Sequence, residues 1–288
     1  MTSHDQCTVS GDGKWIAARS GDQLTLHLAS GKEEARTTLT AGGRLLLVGD
    51  DVVDVAIAAG RTTITTLALP TLKLRSTIEI PGEAEVRAVS KESVLLARGK
   101  DALILRVVAG TTGFAPMMGG AAPAWAAGLA DDQFLAPGAR GLEIWDGATR
   151  RIAQRVRFEV DRVPRHAGVA TAGANLWLCD DRPQVTVVRI SDGKVQRIGL
   201  TAPADAAVGH LRSSWLLVEL AGAPHAINLV TGSVDALPCT PGAPRAVVPR
   251  GAAATVVEVA EAEVRLWEIG APAPTPSSGP LRLSLEPR

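Results

Sequence analysis

The sequence predicts an all-β protein, a seven-bladed β-propeller of four-stranded antiparallel blades. Three observations carry that reading. Short segments alternate apolar and polar residues with period two, as half-buried strands do. Turns containing Gly and Asp separate them, where hairpins need residues that tolerate positive φ. These turns recur at 31, 71, 110, 147, 193, 232 and 270, with spacings of 40, 39, 37, 46, 39 and 38 residues. A four-stranded propeller blade occupies roughly 40 residues.

The first unit shows the pattern. Lys14–Arg19 reads as a strand, Ser20-Gly21-Asp22 as a turn, and Gln23–Leu28 as an alternating strand. Ala29-Ser30-Gly31-Lys32 turns again, and Glu34–Leu39 reads as a further strand. Later units repeat the alternating strand and its turn. Arg61–Leu69 turns at Pro70-Thr71, Ala102–Val108 at Gly110, and Gly141–Trp145 at Asp146-Gly147. Gln184–Ile190 turns at Ser191-Asp192-Gly193, His225–Val230 at Thr231-Gly232, and Glu263–Ile269 at Gly270.

This places the blades at about 6–39, 44–80, 85–117, 123–160, 163–200, 205–238 and 245–285, within one domain over 1–288. In the last blade, 271–280 is rich in Pro, Ser and Ala and reads as an irregular connection. Leu281–Leu285 alternates again and reads as the outer strand of blade seven, with a loose tail as the alternative. The ring is expected to close by blade one packing on blade seven. No segment carries a capped helical stripe. The Ala-rich stretch 121–130 is the best helix candidate by propensity, but Pro123 and the glycines before it weaken it. It also lies where the inner strand of blade four belongs.

Some units resemble a known family. Ser10-Gly11-Asp12-Gly13-Lys14-Trp15-Ile16-Ala17-Ala18 resembles the approach to the second strand of a WD-repeat blade. Leu142-Glu143-Ile144-Trp145-Asp146-Gly147-Ala148-Thr149-Arg150 and Val264-Arg265-Leu266-Trp267-Glu268-Ile269-Gly270 resemble the strand that ends in that family's Trp-Asp pair. The family's Gly-His pair is missing throughout, and five blades lack Trp in the third strand, so the repeats are divergent. The resemblance implies a fold and a habit of binding proteins, but no chemistry. Within it, Trp15, Trp177 and Trp215 fall on second strands, and Trp145 and Trp267 at the ends of third strands. These five are expected to fill the wedges between blades. Trp125 falls on the presumed inner strand of blade four, beside the channel.

Composition excludes several classes. The 288 residues are 46% hydrophobic and 21% charged, enough apolar material for a core. Thirty basic residues balance 30 acidic ones, so nothing drives the chain to nucleic acid or to a membrane surface. Tyr is absent and Phe occurs three times, which leaves no stacking platform for single strands. No apolar run approaches the roughly 18–20 residues of a membrane helix. The start lacks a basic n-region and an apolar h-region, so no secretory signal is expected and the location is cytoplasmic. Cys7, Cys179 and Cys239 have neither disulfide-framework nor zinc spacing and are expected as free, buried thiols. Basic residues are 24 Arg and 6 Lys, and Asn occurs only at 175 and 228, a bias that points to a GC-rich bacterial genome.

The search for chemistry finds no HExxH, phosphate loop, GxSxG elbow or EF-hand loop. The acidic doublets Asp50-Asp51, Asp131-Asp132 and Asp180-Asp181 sit in expected hairpin turns, where Asp is favoured for turn chemistry alone. His166 and His210 fall on the inner strands of blades five and six, where both could face the channel. The loops between blades and those between second and third strands share one face of mixed charge. On it, Arg87, Arg162, Arg165 and Arg245 fall near inner-strand starts, where Arg forks suit carboxylates on a partner. The apolar segment 111–123 replaces a clean fourth strand in blade three and offers Phe114, Met117 and Met118 for protein contact. No catalytic, metal-ligating or cofactor-binding residue is assigned.

The resulting reading is a non-catalytic, monomeric scaffold for protein–protein interaction in the bacterial cytoplasm. In size the chain resembles the stand-alone propellers that bacterial genomes pair with MoxR-type ATPases and von Willebrand A domain proteins. The alternative is a small-ligand-binding or metal-dependent enzyme using the central channel. Propeller hydrolases and lactonases place carboxylates and Asn around a central metal. Here neither Asn175 nor Asn228 falls at an inner-strand start, which counts against that alternative.

Overall fold

The computed structural model describes residues 6–39, 43–108, 111–138, 141–158, 160–260, 263–270 and 281–284, with the backbone alone at 111–112, 118–120 and 281–284. They form seven four-stranded antiparallel sheets, each contiguous in sequence. Blade one holds β1 (Gln6–Val9), β2 (Trp15–Ser20), β3 (Gln23–Leu28) and β4 (Glu33–Thr38). Blade two holds β5 (Arg44–Val48), β6 (Asp51–Ala58), β7 (Arg61–Ala68) and β8 (Lys73–Pro81). Blade three holds β9 (Glu85–Val89), β10 (Ser93–Arg98), β11 (Asp101–Val108) and β12 (Thr111–Ala121). Blade four holds β13 (Ala127–Gly128), β14 (Gln133–Gly138), β15 (Gly141–Asp146) and β16 (Arg151–Val156). Blade five holds β17 (His166–Ala170), β18 (Asn175–Cys179), β19 (Gln184–Arg189) and β20 (Val195–Gly199). Blade six holds β21 (Ala204–Gly209), β22 (Trp215–Leu220), β23 (Ala223–Asn228) and β24 (Val234–Ala236). Blade seven holds β25 (Arg245–Arg250), β26 (Ala253–Ala260), β27 (Glu263–Ile269) and β28 (Leu281–Ser284).

The first strands of successive blades touch one another around a closed circle, β1 to β5 and onward to β25, which returns to β1. They are therefore the inner strands. Blade seven draws all four strands from the C-terminal part of the chain, so no strand is shared across the closure. The ring shuts by packing instead, with Ile16 and Ala18 against Ala246, Val248, Val257, Val259 and Val264.

Period-two alternation explains the core. In β10, Val94 and Leu96 face blade two while Leu95 faces blade four, so consecutive residues are all apolar because both faces are covered. Repeated around the ring, this gives seven apolar clusters, one in each wedge between neighbouring blades. Trp177, Trp215 and Trp145 lie in three of these wedges, and Trp15 and Trp267 pack at the margins of two. The wedges narrow toward the axis, and two glycines serve the narrow end. A Cβ on Gly128 would meet the Val89 carbonyl oxygen at 1.7 Å, and one on Gly168 would meet Trp177 Cζ2 at 2.3 Å.

The turns follow the repeat. The anchors Gly31, Gly193, Gly232 and Gly270 all take positive φ. In blades one, two and four the outer strand bulges just after the turn, opposite His27, Leu67 and Trp145. Asp146 of the Trp-Asp pair closes its turn by accepting the Thr149 N–H and hydroxyl at 2.6 and 2.8 Å.

Two expectations need correction. Blade three does not lose its fourth strand: β12 spans Thr111–Ala121 and pairs with β11 from Thr111 to Pro116 and again at Ala121, with a register shift between. Pro116 is tolerated because an outer strand has one edge with no ladder to serve. The Ala-rich stretch 121–130 holds the short inner strand β13, where the repeat places it, and the described helical structure is one 3-10 turn at Thr171–Gly173. Trp125 precedes the short β13 rather than lying on it, and it is buried in the core between blades four and five. No helix among the described residues is long and apolar enough to cross a membrane.

Candidate functional site

A cleft opens on the face that carries the loops between blades. It lies where the wedge between blades four and five opens outward. Phe158, Val160, Asp161, Arg162 and Pro164 of the connection 157–165 line one side. Leu178, Asp180, Arg182, Thr186, Val195 and Arg197 of blade five line the other. Leu178, Thr186 and Arg197 are cross-strand partners, so they stand in one row on the blade face. Phe158 and Val160 pack inward on the core of that wedge and form the apolar floor. Val163 projects from the connection and is 68% exposed.

The charges are only partly matched. Arg162 Nη1 reaches both carboxylate oxygens of Asp181 at 2.9 Å. Arg182 holds Asp180 through its guanidinium, and its backbone N–H donates to Asp180 Oδ1 at 2.9 Å. Burial pushes the Asp180 carboxyl up, but hydrogen bonds from Arg182 and the charges of Arg182 and Arg162 outweigh it and hold the group below its usual range. Arg165 and Arg197 are exposed and have no acidic partner among the described residues.

The arginines singled out by sequence do not form one group. Arg162 and Arg165 share the cleft region, where the Arg165 N–H bonds the Cys179 carbonyl at 2.8 Å. Arg87 lies on blade three and pairs with Glu85 at 3.0 Å. Arg245 is buried in blade seven, where it pairs with Glu219 at 3.2 Å and donates to the Thr240 carbonyl. It fastens the connection 237–244, together with Glu258, whose buried carboxylate accepts the Thr240 N–H at 3.1 Å.

Blade three places its apolar side chains apart. Met117 is 6% exposed and packs with Phe134, Ile104 and Trp145 in the wedge toward blade four, while Phe114 is 39% exposed. Met118 lies on β12, but its side chain is outside the described residues.

His166 and His210 are not brought together. His166 begins β17 and its Nε2 meets the Asp205 carbonyl at 3.1 Å, whereas His210 follows the last residue of β21, at the opposite end of an inner strand. His166 belongs to a recurrent contact in which the first residue of an inner strand grips the next blade. Gln6 donates to the Gly43 carbonyl and accepts the Leu45 N–H, and Arg44 donates to the Val86 carbonyl at 3.0 Å.

The acidic doublets lie at turns, as expected, but one carboxylate of each turns inward. Asp51 pairs with Arg75 at 2.7 Å. Asp132 accepts the Ser90 and Ser93 hydroxyls at 2.7 and 2.9 Å, tying blade four to blade three. Asp180 is held by Arg182, as above. Among the described residues no three His, Cys, Asp or Glu side chains cluster to hold a metal ion. Sequence reasoning missed Arg197, Phe158, Val160 and Val163 as neighbours. The signal was present, since the outlying turn spacing of 46 residues, 147 to 193, spans the connection that builds the cleft.

Solved structures match the chain over most of its length. Hsv2 of Kluyveromyces lactis superposes with a TM-score of 0.65 at 8% identity, over 92% of this chain and 93% of that one. The Cps50 (Swd1) β-propeller domain of Myceliophteria thermophila gives 0.65 at 10% identity, over 93% and 97%. The chain has the fold of a seven-bladed β-propeller. At these identities the likeness concerns the fold alone. No family model and no curated protein matches the sequence.

Proposed function

We propose that this propeller is a protein-interaction scaffold and that the cleft at blade five is part of its contact surface. The observation that carries the reading is the composition of that cleft. Arg162, Arg182 and Arg197 surround an apolar floor of Phe158 and Val160, with Val163 exposed beside it. Arginine and aromatic residues over desolvated apolar surface are the mixture enriched at protein interfaces. The wedge cores hold the loops on a rigid frame, which favours precise recognition by the segments between strands. The balanced net charge supports a protein partner over nucleic acid or a membrane surface. WD40-type propellers as a class commonly act as scaffolds, an analogy of fold that adds to the reading without deciding it.

In its finer form the proposal is a monomer in the bacterial cytoplasm, serving a multi-protein assembly such as a MoxR-type ATPase with a von Willebrand A protein. Its test is a tagged pull-down from the native host, comparing wild type with a Val163→Asp, Arg162→Glu variant by mass spectrometry. A stoichiometric partner captured by wild type and lost from the variant is the expected result. Absence of any partner would overturn the scaffold reading. A partner retained by the variant would move the contact elsewhere on the ring.

A further inference from the structure

We infer that the cleft between blades four and five receives an acidic segment of a partner protein that carries an apolar anchor. The inference rests on the scaffold reading and names the chemistry of the partner at that site.

The cleft has a geometric origin. Propeller blades diverge with distance from the axis, so side chains that fill a wedge near the inner strands leave it open near the outer ones. Between blades four and five the wedge core holds Trp125, Leu135, Leu176 and Val188. Farther out, β16 stops at Val156, and the connection 157–165 runs across the opening instead of continuing the strand. Phe158 and Val160 then present apolar surface opposite Leu178 and Val195. Val195 is 42% exposed, so a side chain from outside can still cover it. This is the anchor position.

The charge around it is asymmetric. Arg162, Arg182 and Arg197 line the cleft with Asp161 and Asp180, and Arg165 and Asp181 adjoin that lining along the chain. Two arginines are already engaged, Arg162 by Asp181 and Arg182 by Asp180. Those two pairs hold the loops in place. Arg165 and Arg197 have no acidic partner among the described residues, and they stand on different elements, the connection 157–165 and the outer strand β20. Each presents a planar fork suited to a carboxylate. An incoming Asp or Glu would pair with a guanidinium that now faces water, without first breaking an internal ion pair. A basic segment would meet both forks as like charges and is disfavoured. Lys194 on the turn before β20 is also exposed and extends the positive rim.

The test uses fluorescence anisotropy with the full chain and a fluorescein-labelled peptide, Gly-Asp-Glu-Asp-Leu-Phe-Asp-Glu-Asp-Gly. Two controls accompany it, one with every acidic residue replaced by Lys and one with Leu-Phe replaced by Ala-Ala. Saturable binding of the acidic peptide is expected, weakening at least about tenfold in Arg165→Glu, Arg197→Glu protein and in Val160→Asp protein. It should also weaken between about 50 and about 300 mM salt, because the forks are solvent-exposed. The Lys control should not bind. Both arginines are exposed, so circular dichroism of their variant should match wild type, which keeps the result interpretable even if Val160→Asp perturbs packing. No saturable binding, or binding undiminished by Arg165→Glu, Arg197→Glu, would overturn the inference. Equal binding of the Ala-Ala control would overturn the anchor. Displacement of the peptide by inorganic phosphate at low millimolar concentration would assign the forks to a small anion and overturn it as well. Failure here is distinguishable from failure of the scaffold reading. A stoichiometric partner that cross-links to another part of the ring would keep the scaffold and discard the acidic segment.

Discussion

His210 Nε2 lies 2.8 Å from the Ser10 carbonyl oxygen and joins blade six to blade one, the two neighbours of blade seven. The other ring nitrogen, Nδ1, accepts the Arg212 N–H at 3.1 Å. Both contacts are satisfied by a neutral imidazole with its proton on Nε2. Because no strand crosses the closure, this bond between blades six and one helps hold the ring shut beside blade seven, alongside the apolar cluster of blades one and seven. His210→Ala should lower stability in urea unfolding by about 1–2 kcal/mol, the usual cost of leaving a buried acceptor unpaired.

The same histidine sets a dependence on pH. Burial lowers its pKa from 6.5, so the folded state resists protonation more than the unfolded chain does. Its contribution is complete above about pH 6.5 and is lost as pH falls toward the depressed folded value. Unfolding measured at about pH 7.5 and about pH 5 should show a smaller loss on acidification in His210→Ala than in wild type.

Asp54 acts in the opposite direction. It pairs with Arg19 at 3.1 Å, with side-chain exposures of 3% and 2%. Burial raises its pKa to about 6 despite the Arg19 charge and hydrogen bond. A carboxyl with a raised folded pKa favours the fold below its unfolded value of 3.8, and that advantage fades as pH rises through about 6. The destabilisation caused by Asp54→Asn should therefore shrink by about 1–3 kcal/mol between about pH 4 and about pH 7.5. Arg19→Met leaves the carboxylate buried without its partner and should cost about 3–5 kcal/mol at neutral pH.

Gly168 lies beneath the indole of Trp177, and the narrow end of the wedge between blades five and six depends on it. Gly168→Ala places a methyl within the ring's volume and should destabilise by about 1–3 kcal/mol. Combining it with Trp177→Leu should recover part of that loss, because the clash disappears. Strictly additive losses in the double variant would show that the two residues are not coupled.

Met117 and Phe114 should separate cleanly in thermal or urea unfolding. Met117→Ala opens a cavity among Phe134, Ile104 and Trp145 and should cost about 2–4 kcal/mol. Phe114→Ser, on the exposed face of β12, should change stability by about 0.5 kcal/mol or less. A partner lost only with Met117 would thus report damage to blade packing rather than a contact.

The three thiols should be inert in the native protein. Burial pushes Cys7, Cys179 and Cys239 each up to about 12, so almost none is thiolate at neutral pH. An aromatic disulfide reagent at about pH 8 should react negligibly until urea is added, and then with all three. Rapid native labelling would mean that the wedges around them open.

The sequence by itself determined the seven-fold repeat, because each blade needs the same alternation and the same turn chemistry, and both are local. Trp145 and Trp215 were legible as wedge residues for the same reason. Segment 111–123 was misread because Gly and Pro break local rules, while an outer strand needs a ladder on one edge only. Tertiary structure alone decided which charged residues meet. Arg87, Arg162, Arg165 and Arg245 look alike along the chain. Yet Arg245 is buried against Glu219, Arg87 is paired on blade three, and Arg162 is engaged by Asp181 in a cleft with Arg197 from another strand. Pairing of this kind depends on distances between blades. Those are set by wedge packing summed around the closed ring, and no local window of sequence contains them.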